Sequence, residues 1–153
     1  MKKIILIGGS GYIGCVVARK LTDNGHEVTS FDNLIYSQEN SDKHIKNKDL
    51  YKFIHGDIRD YKKINSIIKN FDIVIILSGL VGDPITKKYK EEAFEINNRS
   101  IKNIINSCVD SNVSRLLFIS TCSNYGLIGN EEFATEDTIL NPLSDYAKEK
   151  INI

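Results

Sequence analysis

The chain has 153 residues, 41% of them hydrophobic, and its 20 Lys and Arg balance 20 Asp and Glu for a formal net charge of zero. That length carries one domain with one real core, and that composition excludes a disordered tail. No basic block marks a nucleic-acid footprint and no apolar run reaches membrane-spanning length, so neither nucleic acid nor a membrane is expected as a partner.

The first element is Lys3–Ile7, a short apolar run closed by Gly8-Gly9. It predicts a buried strand. A competing reading takes "MKKIILIGGSGYIGC" as a lipoprotein-type signal. Gly8, Gly9, Gly11 and Gly14 weaken it as a helical signal core, and its removal would delete the first strand, so the strand is preferred. From Gly11 the period changes: Ile13, Val16, Val17 and Leu21 follow helical spacing until Asn24-Gly25 ends the helix. "HEVTSFD" is a second strand ending at Asp32, and the polar residues 36–49 read as a surface loop. "LYKFIHGD" is a third strand, and Ile64, Ile67, Ile68 and Phe71 mark a helical face. "DIVIILSG" is a continuous apolar strand bounded by Asp72 and Gly79. Ile101, Ile104, Ile105, Cys108 and Val109 form a helical stripe. "RLLFIST" is the fifth strand, and Asn141-Pro142 opens a last helix carrying Tyr146 and Lys150.

Strands alternating with helices imply parallel strands and crossover helices. The expected fold is α/β, a Rossmann-like doubly wound parallel sheet in three layers with strand order 3-2-1-4-5. No internal repeat or linker divides it. The cysteines, Cys15, Cys108 and Cys122, are odd in number and far apart. No CxxC or Cys/His spacing suggests zinc or a disulfide framework, so no metal is expected, and a reducing, cytoplasmic setting fits. Cys122 has no His near it in sequence and reads as a small filler residue. His26, His44 and His55 show no ligand spacing.

"GGSGYIG" places Gly8, Gly11 and Gly14 in a GxxGxxG spacing between strand and helix, and the next strand ends in an acid, Asp32. That context turns a weak motif into a dinucleotide fingerprint. Gly8 permits the tight turn, Gly11 lets backbone approach a pyrophosphate, and Gly14 lets the helix pack closely. The helix N-terminus offers free N–H groups to the phosphates. Asp32 can accept from both ribose hydroxyls, and no Arg sits beside it in "FDNLIY", so NAD is favoured over NADP. A glycine-rich turn without a ligand is the alternative. Tyr12 and Ile13, inside the motif, read first as packing residues, and both stay in the cofactor-binding set because of where they sit.

"GGSGYIG", "FDN", "GDIRD", "STCSNYG" and "NPLSDYAKEK" occur in the order seen in extended short-chain dehydrogenases/reductases. More narrowly, the sequence resembles the NAD-dependent epimerase/dehydratase family, which mostly acts on nucleotide sugars. The resemblance covers essentially the whole chain. It implies that Gly8, Gly11 and Gly14 form the pyrophosphate loop, that Asp32 meets the adenosine ribose, and that Asp57 and Ile58 meet the adenine ring. It also implies that Asn97 lies near the cofactor, that Thr121 is the catalytic Ser/Thr, and that Tyr146 and Lys150 are the YxxxK pair, both also touching the cofactor. Two departures stand out. The family often has "HLAA" after its fourth strand where this chain reads "ILSGL", which leaves cofactor contacts along residues 77–84 open. Glu149 stands where relatives commonly have Ser.

The chemistry implied is hydride transfer between a sugar carbon and nicotinamide, the hydride carrier being NAD. A tyrosine is a poor base at its ordinary pKa of about 10. A Lys one helical turn on favours the tyrosinate, and bringing the pKa near 7 takes roughly 4 kcal/mol. Tyr146 would be the general base/acid, Lys150 its electrostatic partner, and Thr121 a hydrogen-bond partner of the substrate hydroxyl. The bland alternative is an ordinary exposed pair four residues apart. Family members are about twice this length. The resemblance therefore implies that residues 1–153 are an NAD-binding Rossmann-like domain, with the substrate domain and most of the sugar pocket absent. The expected function is that of the N-terminal part of an epimerase or dehydratase (oxidoreductase, isomerase or lyase in outcome). The alternatives are a non-catalytic dinucleotide-binding module or a truncated remnant. A second copy of the chain or a complementing C-terminal half would be its protein partner, and a nucleotide sugar its substrate.

Overall fold

The computed structural model describes residues 1–37, 41–129 and 133–153. Five strands form one sheet ordered β3-β2-β1-β4-β5: β1 (Lys3–Ile7), β2 (Glu27–Asp32), β3 (Tyr51–His55), β4 (Ile73–Ile76) and β5 (Arg115–Phe118). All four pairings are parallel, with Ile7 of central β1 registered against both Phe31 and Ile76. The class, the layers and the strand order are those expected from the sequence.

Parallel strands need connections over the sheet faces, and the strands' side chains show both faces covered. Along β1, Ile5 and Ile7 join a core with Phe31, Ile64, Ile68, Val74, Ile76 and Ile104. Ile4 and Leu6 point the other way, to Ala18, Val28 and Ile45. This period-two division places the sheet between α1 (Tyr12–Asp23) on one side and α2 (Tyr61–Ile68) with α5 (Ile101–Val109) on the other. Each wholly buried Ile contributes about 1.5–3 kcal/mol. Two short helices, α3 (Asp83–Lys88) and α4 (Lys90–Phe94), and a π-helical stretch, Glu95–Ser100, lead into α5; α6 is Asp145–Ile151.

Several expectations need correction. Only half of the expected face of α1 turns inward: Val17 and Leu21 pack against the core, but Ile13 and Val16 are 53% and 48% exposed, and the fully buried residues are Gly14, Ala18 and Thr22. The helix meets the sheet through its small side chains, which allow a close approach, and leaves two β-branched ones outside. Val109 likewise falls off the α5 stripe and is exposed. β4 stops three residues early because Leu77 N–H and Ser78 N–H both donate to Ile7 O (2.8 and 2.9 Å), which turns the chain out of the ladder. Asn141-Pro142 does not open the last helix; Ser144 does, its hydroxyl accepting from Ala147 N–H at 3.2 Å. The polar stretch 36–49 holds a 3-10 turn at Ser41–His44 and the start of another at Lys48–Leu50, and it buries Ile45. Residues 38–40 of that stretch, and residues 130–132 of the segment before α6, lie outside the described residues. Among the described residues, β5 pairs with β4 alone.

Candidate active site

The site grows from the carboxyl ends of β1 and β4, where strand order reverses and open α/β sheets leave a crevice. Gly8 leaves β1 at φ +82, and its N–H donates to Phe31 O at 2.8 Å. A Cβ on Gly8 would stand 2.7 Å from Ser78 N, so the residue answers both the turn and the close neighbour. A Cβ on Gly14 would stand 2.5 Å from Gly9 O and 2.6 Å from Gly8 O: α1 presses its first turn onto the loop's own carbonyls. Gly11, the N-cap of α1, has only Gly8 O within reach of a Cβ, at 3.3 Å, and is otherwise open. No side chain caps α1 and no acid sits in its first turn. Its leading N–H groups and positive dipole end are therefore free for an anion. Gly9, absent from the expected set, is pressed against Ser30; the doubled glycine was its only signal.

A cleft of about 840 Å³ opens above this loop, within the roughly 300–1,000 Å³ of small-molecule sites. Gly8, Gly11, Tyr12, Ile13, Gly14, Asp32, Asp57, Ile58, Thr121, Tyr146 and Lys150 all line it. Tyr12 and Ile13 are not packing residues, since Tyr12 is 93% exposed and stands on the cleft rim. Asn97 is the one expected residue that does not line the cleft. It is buried, and its amide accepts from Leu80 N–H (2.8 Å) and donates to Leu80 O (2.9 Å), pinning the loop that does.

Asp32 is buried at the end of β2, where its two oxygens accept from Ser10 N–H (3.0 Å) and Leu34 N–H (2.8 Å). Each carboxylate oxygen keeps a further acceptor site facing the cleft residues. Asp57 is held by the Arg59 fork at 2.9 and 2.6 Å and by Asn33 Nδ2 at 3.1 Å. The Arg59 hydrogen bonds draw its carboxyl down to about 2, so it is a fixed anion. Arg59 and Asn33 were not singled out in the sequence, although both stand inside quoted motifs.

At the other end, Thr121 precedes a 3-10 turn, Cys122–Tyr125, and its Oγ1 accepts from Ser123 N–H at 3.3 Å. Cys122 is exposed on that turn rather than a buried filler. α6 turns Tyr146 and Lys150 into the cleft. Lys150 is 8% exposed. Its Nζ donates to Ile119 O at 3.0 Å and lies 4.3 Å from the Phe118 ring centroid and 5.7 Å from that of Tyr146. That geometry is not an ordinary exposed pair. Burial lowers Lys150 to about 8, and burial pushes the half-buried Tyr146 phenol up. In the chain by itself, burial is what moves both groups, each toward its neutral form. Among the described residues no cluster of His, Cys, Asp or Glu could hold a metal, and no helix is long and apolar enough to cross a membrane.

The sequence profile of the NAD-dependent epimerase/dehydratase family matches residues 4–153, and the chain belongs to that family. The UDP-glucose 4-epimerase of Lactobacillus helveticus is 31% identical over 153 residues, a match covering 97% of this chain and 44% of the relative. The crystal structure of the Thermus thermophilus UDP-glucose 4-epimerase complex with NAD is similar at TM-score 0.85 and 25% identity, covering 98% of this chain and 48% of that one. The UDP-Glc/GlcNAc 4-epimerase of Campylobacter jejuni shares the fold at TM-score 0.90 and 23% identity, covering 99% of this chain and 46% of that one. This chain therefore spans about half the length of the relatives it matches.

Proposed function

We propose that this member of the NAD-dependent epimerase/dehydratase family binds NAD in the cleft and forms the cofactor-binding and catalytic part of a nucleotide-sugar epimerase or dehydratase. The observation that carries the reading is the convergence of an uncapped helix N-terminus, Asp32, Thr121, Tyr146 and Lys150 on one cleft. The residues fit the cofactor. A Cβ at Gly8 or Gly14 would collide with the backbone that shapes the loop, Gly11 stands open to the cleft side of it, the N–H groups of α1 suit a pyrophosphate, and Asp32 suits the adenosine-ribose hydroxyls. Bound NAD would supply the hydride acceptor. Tyr146 would take the proton from the sugar hydroxyl, Thr121 would hold that hydroxyl, and Lys150 would stabilise the tyrosinate. The nucleotide-sugar substrate is supported by relatives named UDP-glucose 4-epimerase, and the three free cysteines support a cytoplasmic setting.

Isothermal titration with NAD tests the binding. The wild-type chain should bind, NADP should bind more weakly, and Asp32→Ala should lose at least tenfold in affinity, the worth of hydrogen bonds to a charged acceptor. No binding by wild type, or Asp32→Ala binding alike, refutes the reading. A second reading, a dinucleotide-binding module without turnover, is favoured by the raised Tyr146 phenol. Reduction of bound NAD on adding UDP-glucose, lost in Tyr146→Phe, would exclude it.

A further inference from the structure

The Asp57 carboxylate carries a full set of hydrogen bonds before any ligand arrives. Its Oδ1 accepts from the Arg59 backbone N–H and from Arg59 Nε, both at 2.9 Å. Its Oδ2 accepts from the Arg59 guanidinium at 2.6 Å and from Asn33 Nδ2 at 3.1 Å. A carboxylate has about four lone-pair sites, so these donors use up its acceptor capacity. Asn33 is also held from its other side, because its Oδ1 accepts from Ile35 N–H at 3.2 Å. Only one amide orientation satisfies both contacts: a flip would set oxygen against the carboxylate and N–H against N–H. Asn33 lines the cleft, whereas Arg59 lies outside its lining. Of the donors that fill Asp57, the Asn33 amide is therefore the one supplied from the cleft wall.

Strand order says what meets this end of the cleft. The sheet runs β3-β2-β1-β4-β5. Thr121, Tyr146 and Lys150 stand toward β5, while Asp32 ends β2 and Asp57 follows β3. A dinucleotide with its pyrophosphate at the N-terminus of α1 and its nicotinamide at Tyr146 lays its other base over β2 and β3, beside Asn33, Asp57 and Ile58. Adenine offers an exocyclic amine there. A carboxylate with a free acceptor site would bond that amine and reject a base lacking it; one whose sites are filled has nothing to read it with.

We propose that Asn33 is a specificity-determining residue: by occupying Asp57 from the cleft wall, it leaves the amine of the cofactor's adenine unread. Asp57 then serves to join the loops after β2 and β3, and the base is held by shape and apolar contact, with Ile58 in the wall. This selectivity rests on the dinucleotide reading of the cleft.

Isothermal titration of the 153-residue chain with NAD and with nicotinamide hypoxanthine dinucleotide, in which a carbonyl replaces the amine, tests this on wild type and Asn33→Ser. Serine keeps an oxygen for Ile35 N–H and ends one atom short of the Asn33 nitrogen. Wild type should prefer NAD by less than about threefold, below the worth of one hydrogen bond to a charged group. Asn33→Ser reopens an acceptor site on an anion, so its preference for NAD should rise to about tenfold or more. A loosened fold would weaken both dinucleotides alike and leave that ratio unmoved. A larger preference in wild type overturns the proposal, because Asp57 then reads the amine despite Asn33. A preference in Asn33→Ser no greater than that of wild type overturns it too. If Asn33→Ser does not fold, Asn33→Ala is read by the same ratio. The contact itself is read on the ligand-free chain by NMR: the Asp57 carboxyl should titrate higher in Asn33→Ser than in wild type, and an unmoved carboxyl refutes the role given to Asn33. If wild type binds neither dinucleotide, the reading of the cleft fails and the proposal falls with it; binding with the wrong ratio overturns the proposal alone.

Discussion

Lys150→Met should make the chain more stable at neutral pH while removing a residue the cleft is built around. Lys150 is buried and donates a hydrogen bond to Ile119 O, and among the described residues it has no carboxylate partner. Burial lowers it from the ordinary 10.5 to about 8. At about 1.4 kcal/mol for each factor of ten, that fall corresponds to a penalty of roughly 3 kcal/mol on the protonated form. The sign follows from proton binding. Between pH 8 and 10.5 the unfolded chain holds the proton more tightly than the folded one, so stability rises with pH across that window. Below pH 8 the full penalty is present. Met has similar length and no charge, but leaves Ile119 O without its partner, which offsets about 1–2 kcal/mol. The variant should gain about 1–2 kcal/mol at pH 7, a large fraction of the ~5–15 kcal/mol typical of a domain. Urea unfolding at pH 7, 8, 9 and 10 measures it. Other groups titrate here too, with Cys108 raised to about 11 by burial and Tyr51 raised as well. The quantity to follow is therefore the difference between the two proteins. It should shrink by about 2 kcal/mol from pH 7 to pH 10 as wild-type Lys150 sheds its proton. A difference constant with pH would show that the lysine is not desolvated, and the reasoning would fail.

Gly14→Ala should cost about 2–4 kcal/mol in unfolding free energy and weaken NAD binding, because its methyl would meet the backbone carbonyls of Gly8 and Gly9, which have no rotamer to escape by. Arg59→Gln should return the Asp57 carboxyl from about 2 toward its ordinary 3.8, read by NMR titration. The wild-type pair's stabilisation is present above pH 3.8 and lost as pH falls through 2, and because the pair is partly exposed the variant should lose under about 1 kcal/mol at pH 5. Asn97→Ala leaves Leu80 N–H and C=O without partners and should cost about 2–4 kcal/mol while weakening NAD binding, seen in melts and titration together.

The sheet was legible because parallel strands covered on both faces are nearly continuous apolar runs: the Ile and Leu of 4–7 and the Ile and Val of 73–76 can be little else. Two features hid the rest. The fully buried positions of α1 are Gly, Ala and Thr, which carry almost no hydrophobic signal, so beside Val17 and Leu21 the pattern also drew in Ile13 and Val16, which face outward. Asn97 was expected near the cofactor, yet its role is set by Leu80, a contact across 17 residues that no local pattern announces. Arg59 and Asn33 escaped for a similar reason, since their importance lies in converging on one carboxylate from two loops. Spacing shows which residues share a helical face; it does not show whether a buried cation will have a counter-ion.

That last point decides how Tyr146 and Lys150 can work together. Burial raises the phenol and lowers the ammonium, so in the ligand-free chain each group is pushed toward its neutral form. At neutral pH Lys150 is still mostly protonated while the phenol is neutral, and bringing a phenol from about 10 to near 7 takes roughly 4 kcal/mol. A further positive charge entering the cleft would favour the tyrosinate, and oxidised nicotinamide carries one where the reduced form does not. Ultraviolet difference titration should therefore show the Tyr146 phenol, isolated by subtracting Tyr146→Phe, titrating above its ordinary 10 in the ligand-free chain and with NADH. With NAD it should titrate well below that value. Equal titration with the two redox forms would mean that the charge does not reach the phenol, and that Tyr146 lines the cleft without serving as its base.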